Sequence, residues 1–330
     1  MASVTPHQAD NDRPQPRLVI PTHDSGIWRL AYYLPDGRRV VTGSDDGTVK
    51  VWNLEEGEQE GTSMKHDREI CGLAVTLDGT KIISGDGDRK IKVWDVESHE
   101  LVKEWTHLEG CPGIAISPDG RLIAAGDRAV VIYSMEGRQV SSIKVDDGVW
   151  SLCFSPDGKK LACGTDDDIR VYDVDTGRLQ VVRGPLMGQR HWVRDVLWSR
   201  DGSRLFSASN DGTIRCWNSD TGEQIGHPWT GHTGSIRSLS LSPDGSILAS
   251  ASWDKTVCFW DAITGSPIGQ HLQHDKPVDA VRFSPSGESV ASLGWGGTIY
   301  LWRVPWLNSA ENQARSLIAV PPYSCSPLSI

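Results

Sequence analysis

No stretch of the 330 residues stays apolar for the roughly 18 positions that a membrane-spanning helix needs, so membrane insertion is not expected. Positive charge is in short supply: 33 Lys and Arg face 43 Asp and Glu, a formal net charge of −10. Proteins that grip nucleic acid directly lean on a basic excess, and so do those that sit on anionic lipid. Neither class is expected here. The seven cysteines are odd in number and form no Cys-x-x-Cys pair, and no Asn-x-Ser/Thr sequon occurs. Both features point to a reducing, intracellular setting, the cytoplasm first and the nucleus as the alternative. Met1 to Pro16 is polar and proline-rich with no apolar core, so no signal peptide is read there. The Gly-x-x-x-x-Gly-Lys-Ser/Thr loop that cradles nucleotide phosphates is missing too. No segment of useful length has the 3.6-residue period of a helix between Arg17 and Trp306.

What the chain does have is 34 glycines, 18 prolines and 14 tryptophans, arranged with a period. A turn returns at Pro35-Asp36-Gly37, Leu77-Asp78-Gly79, Pro118-Asp119-Gly120, Pro156-Asp157-Gly158, Arg200-Asp201-Gly202, Pro243-Asp244-Gly245 and Pro285-Ser286-Gly287. Successive turn glycines lie 42, 41, 38, 44, 43 and 42 residues apart. An aromatic residue keeps step at Trp52, Trp94, Tyr133, Tyr172, Trp217, Trp260 and Trp302. A repeat of this length signals a stacked array of like units.

Each copy reads as four short strands. In the sixth, Ile236–Leu241 precedes the Pro-Asp-Gly turn, Ile247–Ser250 follows, Thr256–Trp260 is third and a last strand falls near Pro267–Leu272. Proline presets φ at these turns and glycine accepts positive φ. A lone sheet of about 40 residues has two bare faces and is marginal; seven stacked around an axis cover one another. The seventh copy has no convincing fourth strand. Leu18–Ile20 is expected to supply it and close the ring, which removes an exposed edge. The fold class expected is all-β: a seven-bladed propeller over 17–306, after a disordered segment 1–16 and before a tail 307–330 that holds a short helix and is then disordered.

These residues resemble the WD-repeat (WD40) family of β-propellers. Thr230-Gly231-His232 opens copy six and Trp260-Asp261 ends its third strand; Trp94-Asp95 and Tyr172-Asp173 match, and Trp52-Asn53 and Trp217-Asn218 are near variants. The wording shared by copies five and six is similar to tandem repeats of fungal WD proteins. The resemblance implies a buried hydrogen-bonded set in each blade made of His, Ser or Thr, Asp and the third-strand Trp. Full sets are expected at His23, Thr42, Asp46, Trp52; at His66, Ser84, Asp88, Trp94; and at His232, Ser250, Asp254, Trp260. Copy five has Gln189 where His belongs, copy seven has Gly296 where Asp belongs, and copies three and four are degenerate. These histidines and aspartates recur once per blade around a ring, so they are read as structural and not as metal ligands or catalytic groups. No catalytic residue, metal or cofactor is expected.

The resemblance also implies that residues flanking the first apolar position of each first strand, and the residue before each turn aspartate, meet partners at the channel mouth. Trp28, Trp150, Trp192, Trp253 and Trp295 fall on these positions, with Arg194, Arg237 and Asp279. Trp and Arg dominate binding hot spots. Arg194 and Arg237 are expected to lie beside Trp192 and Trp253, and Trp28, Trp295 and Asp279 to form a second group. The alternative is that the indoles only plug the channel. The function expected is a non-enzymatic scaffold for proteins or peptides, with an acidic segment suited to the guanidiniums. A ligand-sensing module that works with a separate signalling partner is the second reading. The run Asp166-Asp167-Asp168 lacks Ca²⁺-loop spacing and reads as a solvated turn.

Overall fold

A computed structural model describes residues 14–23, 29–108, 110, 113–174, 180–183, 186, 188, 189 and 191–304 (backbone only at 29–32 and 180–183). The repeating turn shows why the strands reverse where they do. In the sixth copy the Ser242 hydroxyl donates to Asp244 at 2.5 Å, the amides of Ser246 and Ile247 donate to Asp244 and Ser242, and the Gly245 amide closes the turn on the Ser242 carbonyl. Gly245 takes φ of 76°, a conformation that side chains with a Cβ resist.

The strands pair into seven four-stranded antiparallel sheets. Blade 1 is Arg29–Tyr33, Arg39–Gly43, Thr48–Asn53 and Glu58–Lys65; blade 2 is Ile70–Val75, Lys81–Asp86, Lys90–Asp95 and Leu101–Thr106. Blade 3 runs from Gly113–Ile116 to Gln139–Lys144, blade 4 from Ser151–Phe154 to Gln180–Arg183, blade 5 from Val193–Trp198 to Gln224–Trp229. Blade 6 starts at Ile236–Leu241, and its outer strand is only Leu272–Gln273, with Pro267 making a single bridge to Trp260. That strand starts later than the sequence suggests, since Pro267 has no N–H to give a ladder.

Blade 7 holds Val278–Phe283, Ser289–Gly294 and Thr298–Arg303, and its fourth strand comes from the other end of the chain. Leu18–Pro21 pairs antiparallel with it, Leu18 opposite Leu301 and Ile20 opposite Ile299. The ring is closed as the sequence suggests, and the protein is a seven-bladed β-propeller. Among the described residues there is no helix, and hence none long and apolar enough to cross a membrane. Residues 1–13 and 305–330 lie outside the described residues, and with them almost all of the expected disordered segment and the whole expected tail helix.

Seven apolar cores form, each between two neighbouring blades and not within one. Val41, Val51 and Met64 of blade 1 pack on Ile70, Leu73 and Trp94 of blade 2. The core that joins blades 7 and 1 combines Leu293 and Ile299 with Val40, Trp52 and the closing residue Ile20.

Candidate functional site

Two kinds of polar site follow from this frame. The first is the buried set inside each blade. In blade 1 the Trp52 indole donates to Thr42 Oγ1 at 2.8 Å, Thr42 meets His23 Nε2 at 2.9 Å, and His23 Nδ1 meets Asp46 at 3.0 Å. Blade 6 repeats this through Trp260, Ser250, His232 and Asp254, at 2.8, 2.7 and 2.8 Å. Blade 2 joins Trp94, Ser84 and His66 in the same way, but the carboxylate on His66 is Asp86, at 2.8 Å. Asp88, expected there, instead points outward to Arg68 at 3.4 Å. The physical reason is local. Asp86 stands where blades 1 and 6 have Ser44 and Ser252, so its longer side chain both accepts the Asp88 amide and reaches the imidazole. Blade 3 makes a shortened version that the sequence reading missed: the Tyr133 hydroxyl meets His107 Nδ1 directly at 2.9 Å.

The second lies where the turns after the second strands meet the segments before the first strands. The Asn210 amide donates to Trp192 O, Trp253 to Ser235 O, and Trp295 to Pro277 O, at 2.9 to 3.0 Å. These bonds bring three of the singled-out residues, Trp192, Trp253 and Trp295, to one rim. Trp150 and Trp192 stack with centroids 4.5 Å apart and planes at 22°. The Arg194 guanidinium lies 4.3 Å from the Trp150 ring centre and 4.6 Å from that of Trp192, and its Nε donates to Asn210 at 3.1 Å. The Trp150 indole N–H donates to Asp166 at 2.6 Å. The aspartate run is therefore more than a solvated turn. Asp168 is buried and bonds to the Thr165 hydroxyl and to Arg170.

Next to this lies Arg237, its guanidinium 4.5 Å from the Trp253 ring centre and 3.6 Å from Asp279. The Trp253 indole donates to the same Asp279 oxygen at 2.8 Å, and Trp295 packs edge-on against Trp253 at 5.6 Å. Asp279 thus sits with Arg237 and Trp253 rather than in a separate group. Trp28 lies outside the described residues. Burial pushes the Asp279 carboxyl up to about 6, although the Trp253 N–H and the Arg237 charge pull the other way. Trp192 is 40% and Trp295 45% exposed. Cys71, at the position of Arg194 in blade 2, is disulfide-bonded. Among the described residues no cluster of three or more His, Cys, Asp or Glu side chains is placed to hold a metal ion.

The family model described as "WD domain, G-beta repeat" matches residues 14–53, 57–95, 137–173, 181–218, 222–261 and 265–303. The chain belongs to the WD40 family. The six matches pass over the stretch that builds most of blade 3, where Ala125 replaces the hydroxyl residue and Tyr133 the tryptophan. Among curated relatives, the small ribosomal subunit protein RACK1y of Oryza sativa subsp. japonica is 33% identical over 123 residues, 34% of this chain and 37% of the relative. RACK1z of Arabidopsis thaliana is 31% identical over 123 residues, 32% of this chain and 38% of the relative. The chain thus spans under two fifths of the length of these curated relatives.

Proposed function

We propose that this WD40 propeller is a non-enzymatic scaffold that binds a protein or peptide partner on the Trp/Arg rim of its channel. The observation that carries the reading is the pair of half-exposed indoles, Trp192 and Trp295: Trp192 stacks on Trp150 with the Arg194 guanidinium over its ring, and Trp295 packs edge-on against Trp253, whose ring carries Arg237. Exposed large aromatic surface costs free energy in water unless something covers it. The arginines are already seated on the indole faces, so the rim offers rigid apolar area with charged edges at little ordering cost. The acidic partner suggested by two guanidiniums loses support, because Arg237 is charge-matched by Asp279 and Arg194 acts on the same carboxylate. Membership of a family rich in interaction platforms, and curated plant relatives named as ribosomal subunit proteins, favour a scaffold working in the cytoplasm. A Trp192→Ala/Arg194→Ala/Arg237→Ala variant, checked for an unchanged fold by circular dichroism, should lose the partners that wild-type protein retains in affinity capture. Retention of the same partners by the variant rejects the site.

A further inference from the structure

We infer that the partner segment is basic, and that it lies across the rim with lysines or arginines over blades 2 to 4 and an apolar or aromatic side chain on the indoles of blades 5 to 7. This rests on the channel-mouth reading above and adds the partner's chemistry. The rim is electrically divided. Backbone bonds tie Glu69 to the Gly87 turn and Asp127 to Val149, just as they tie Trp192 to Asn210, so blades 2 to 4 present their turns on the same face as the indoles. On that arc Asp67, Glu69, Asp146 and Asp167 are exposed, and none of the four forms an ion pair among the described residues.

Of the guanidiniums on this arc, Arg68 pairs with Asp88, while Arg89, which donates to the neutral Leu108 carbonyl, and Arg128 keep their charge, so the four unpaired carboxylates outnumber the unpaired cations two to one. On the other arc the cations sit over rings, at Arg194 and Arg237, and the exposed charges are Lys255, Lys276 and a single carboxylate, Asp275. A partner carrying negative charge over blades 2 to 4 would meet like charge there, whereas a basic one finds carboxylates that no neighbour neutralises. The indole faces that look onto Arg194 and Arg237 are already filled by cations, so the partner's positive charge belongs on the carboxylate arc and its apolar side chain on the remaining indole surface.

The probes are two short fluorescent peptides, one with a lysine run followed by a tryptophan and a twin with glutamates for the lysines. Fluorescence anisotropy against the intact chain reads their affinity. Wild type should bind the lysine peptide, with affinity that falls as salt is raised, and should not bind the twin. The Asp67→Lys/Glu69→Lys/Asp146→Lys/Asp167→Lys variant should weaken the lysine peptide by about 10-fold or more. A control of equal charge change on exposed acids of the opposite rim, Glu55→Lys/Glu56→Lys/Glu58→Lys/Glu100→Lys, should stay within about two-fold. Equal weakening by both variants, or tighter binding of the glutamate twin, overturns the inference. If Trp192→Ala abolishes peptide binding while the carboxylate reversal does not, the channel-mouth reading stands and the basic partner falls. If neither change matters, both fall.

Discussion

Five histidines occupy one structural position in five blades, and their chemistry is set by what faces Nδ1. Burial alone would lower the pKa of His232. The hydrogen bond to Asp254, helped by Cys258 at 3.9 Å, overcomes it and raises the imidazole to about 9. In blade 7, Gly296 removes the carboxylate; burial then holds His274 down to about 4, and its Nδ1 has no partner among the described residues. His107 is likewise held to about 4, by burial and then by Arg89. Protonated His232 donates from Nε2 to Ser250, which frees the serine proton for the Cys258 carbonyl at 3.4 Å. The stability that His232 brings is therefore whole below its unfolded pKa of about 6.5 and is lost as pH rises through about 9. Asp254→Asn should drop the His232 pKa below about 6.5, read by NMR titration, and should destabilise the fold by about 1–3 kcal/mol in urea. An imidazole still charged at pH 8 in that variant contradicts the account. The sequence makes most of this set legible, because identity and spacing repeat. It does not reveal Asp86, since that exchange depends on how far a side chain reaches, and Asp88 sits at the aligned position.

Strands differ in how firmly their sequences announce them. Second strands are unbroken buried runs and third strands alternate in part, both under fixed turns, and their positions follow from the spacing of glycines. Outer strands carry little such signal: Leu101–Thr106 is exposed at five of six positions, so alternation cannot mark it, and the late start in blade 6 follows from one proline. Blades 3 and 4 are the elements where the repeat fades. Blade 3 replaces the Trp–hydroxyl–His chain by one bond from Tyr133 to His107, whose Nε2 is left without a partner among the described residues. Blade 4 has Cys163 in the hydroxyl position and braces its turn through Thr165, Asp168 and Arg170. Fewer buried polar links mean cheaper local opening. In native-state hydrogen exchange, the amides of Gly113–Ile116 and Ser151–Phe154 should exchange sooner than those of Ile236–Leu241. Tyr133→Phe should widen the gap for blade 3 and cost about 1–3 kcal/mol. If blades 3 and 4 prove the best protected, the buried sets are not what sets blade stability.

At the scale of the molecule, the placement of the cores decides how the propeller fails. Every apolar cluster is shared by two blades, so opening one interface strips surface from both neighbours, and a ring has no end blade on which loss is harmless. The weakest covalent point of such a ring is where the chain's two ends meet. There the link is Leu18–Pro21 against Thr298–Leu301, with Ile20 buried among Val40, Leu293 and Ile299. Ile20→Ala leaves the ladder intact but empties that pocket, and should cost about 2–5 kcal/mol. Val19, one residue away and 46% exposed, points outward, so Val19→Ala should fall within about 0.5 kcal/mol. Thermal unfolding of the two variants separates the hypotheses cleanly. A large drop for Ile20→Ala with a single sharp transition means that closure holds the whole ring. A drop confined to a minor early transition means that blades 7 and 1 can part while the rest stays folded. Removal of residues 1–21 takes the test further: the outer edge of Thr298–Arg303 is then unpaired, and an unpaired edge recruits a strand from another molecule. Light scattering should therefore find the shortened chain as dimers or larger species, and a stable monomer with unchanged melting would show that the closing strand contributes nothing to the fold.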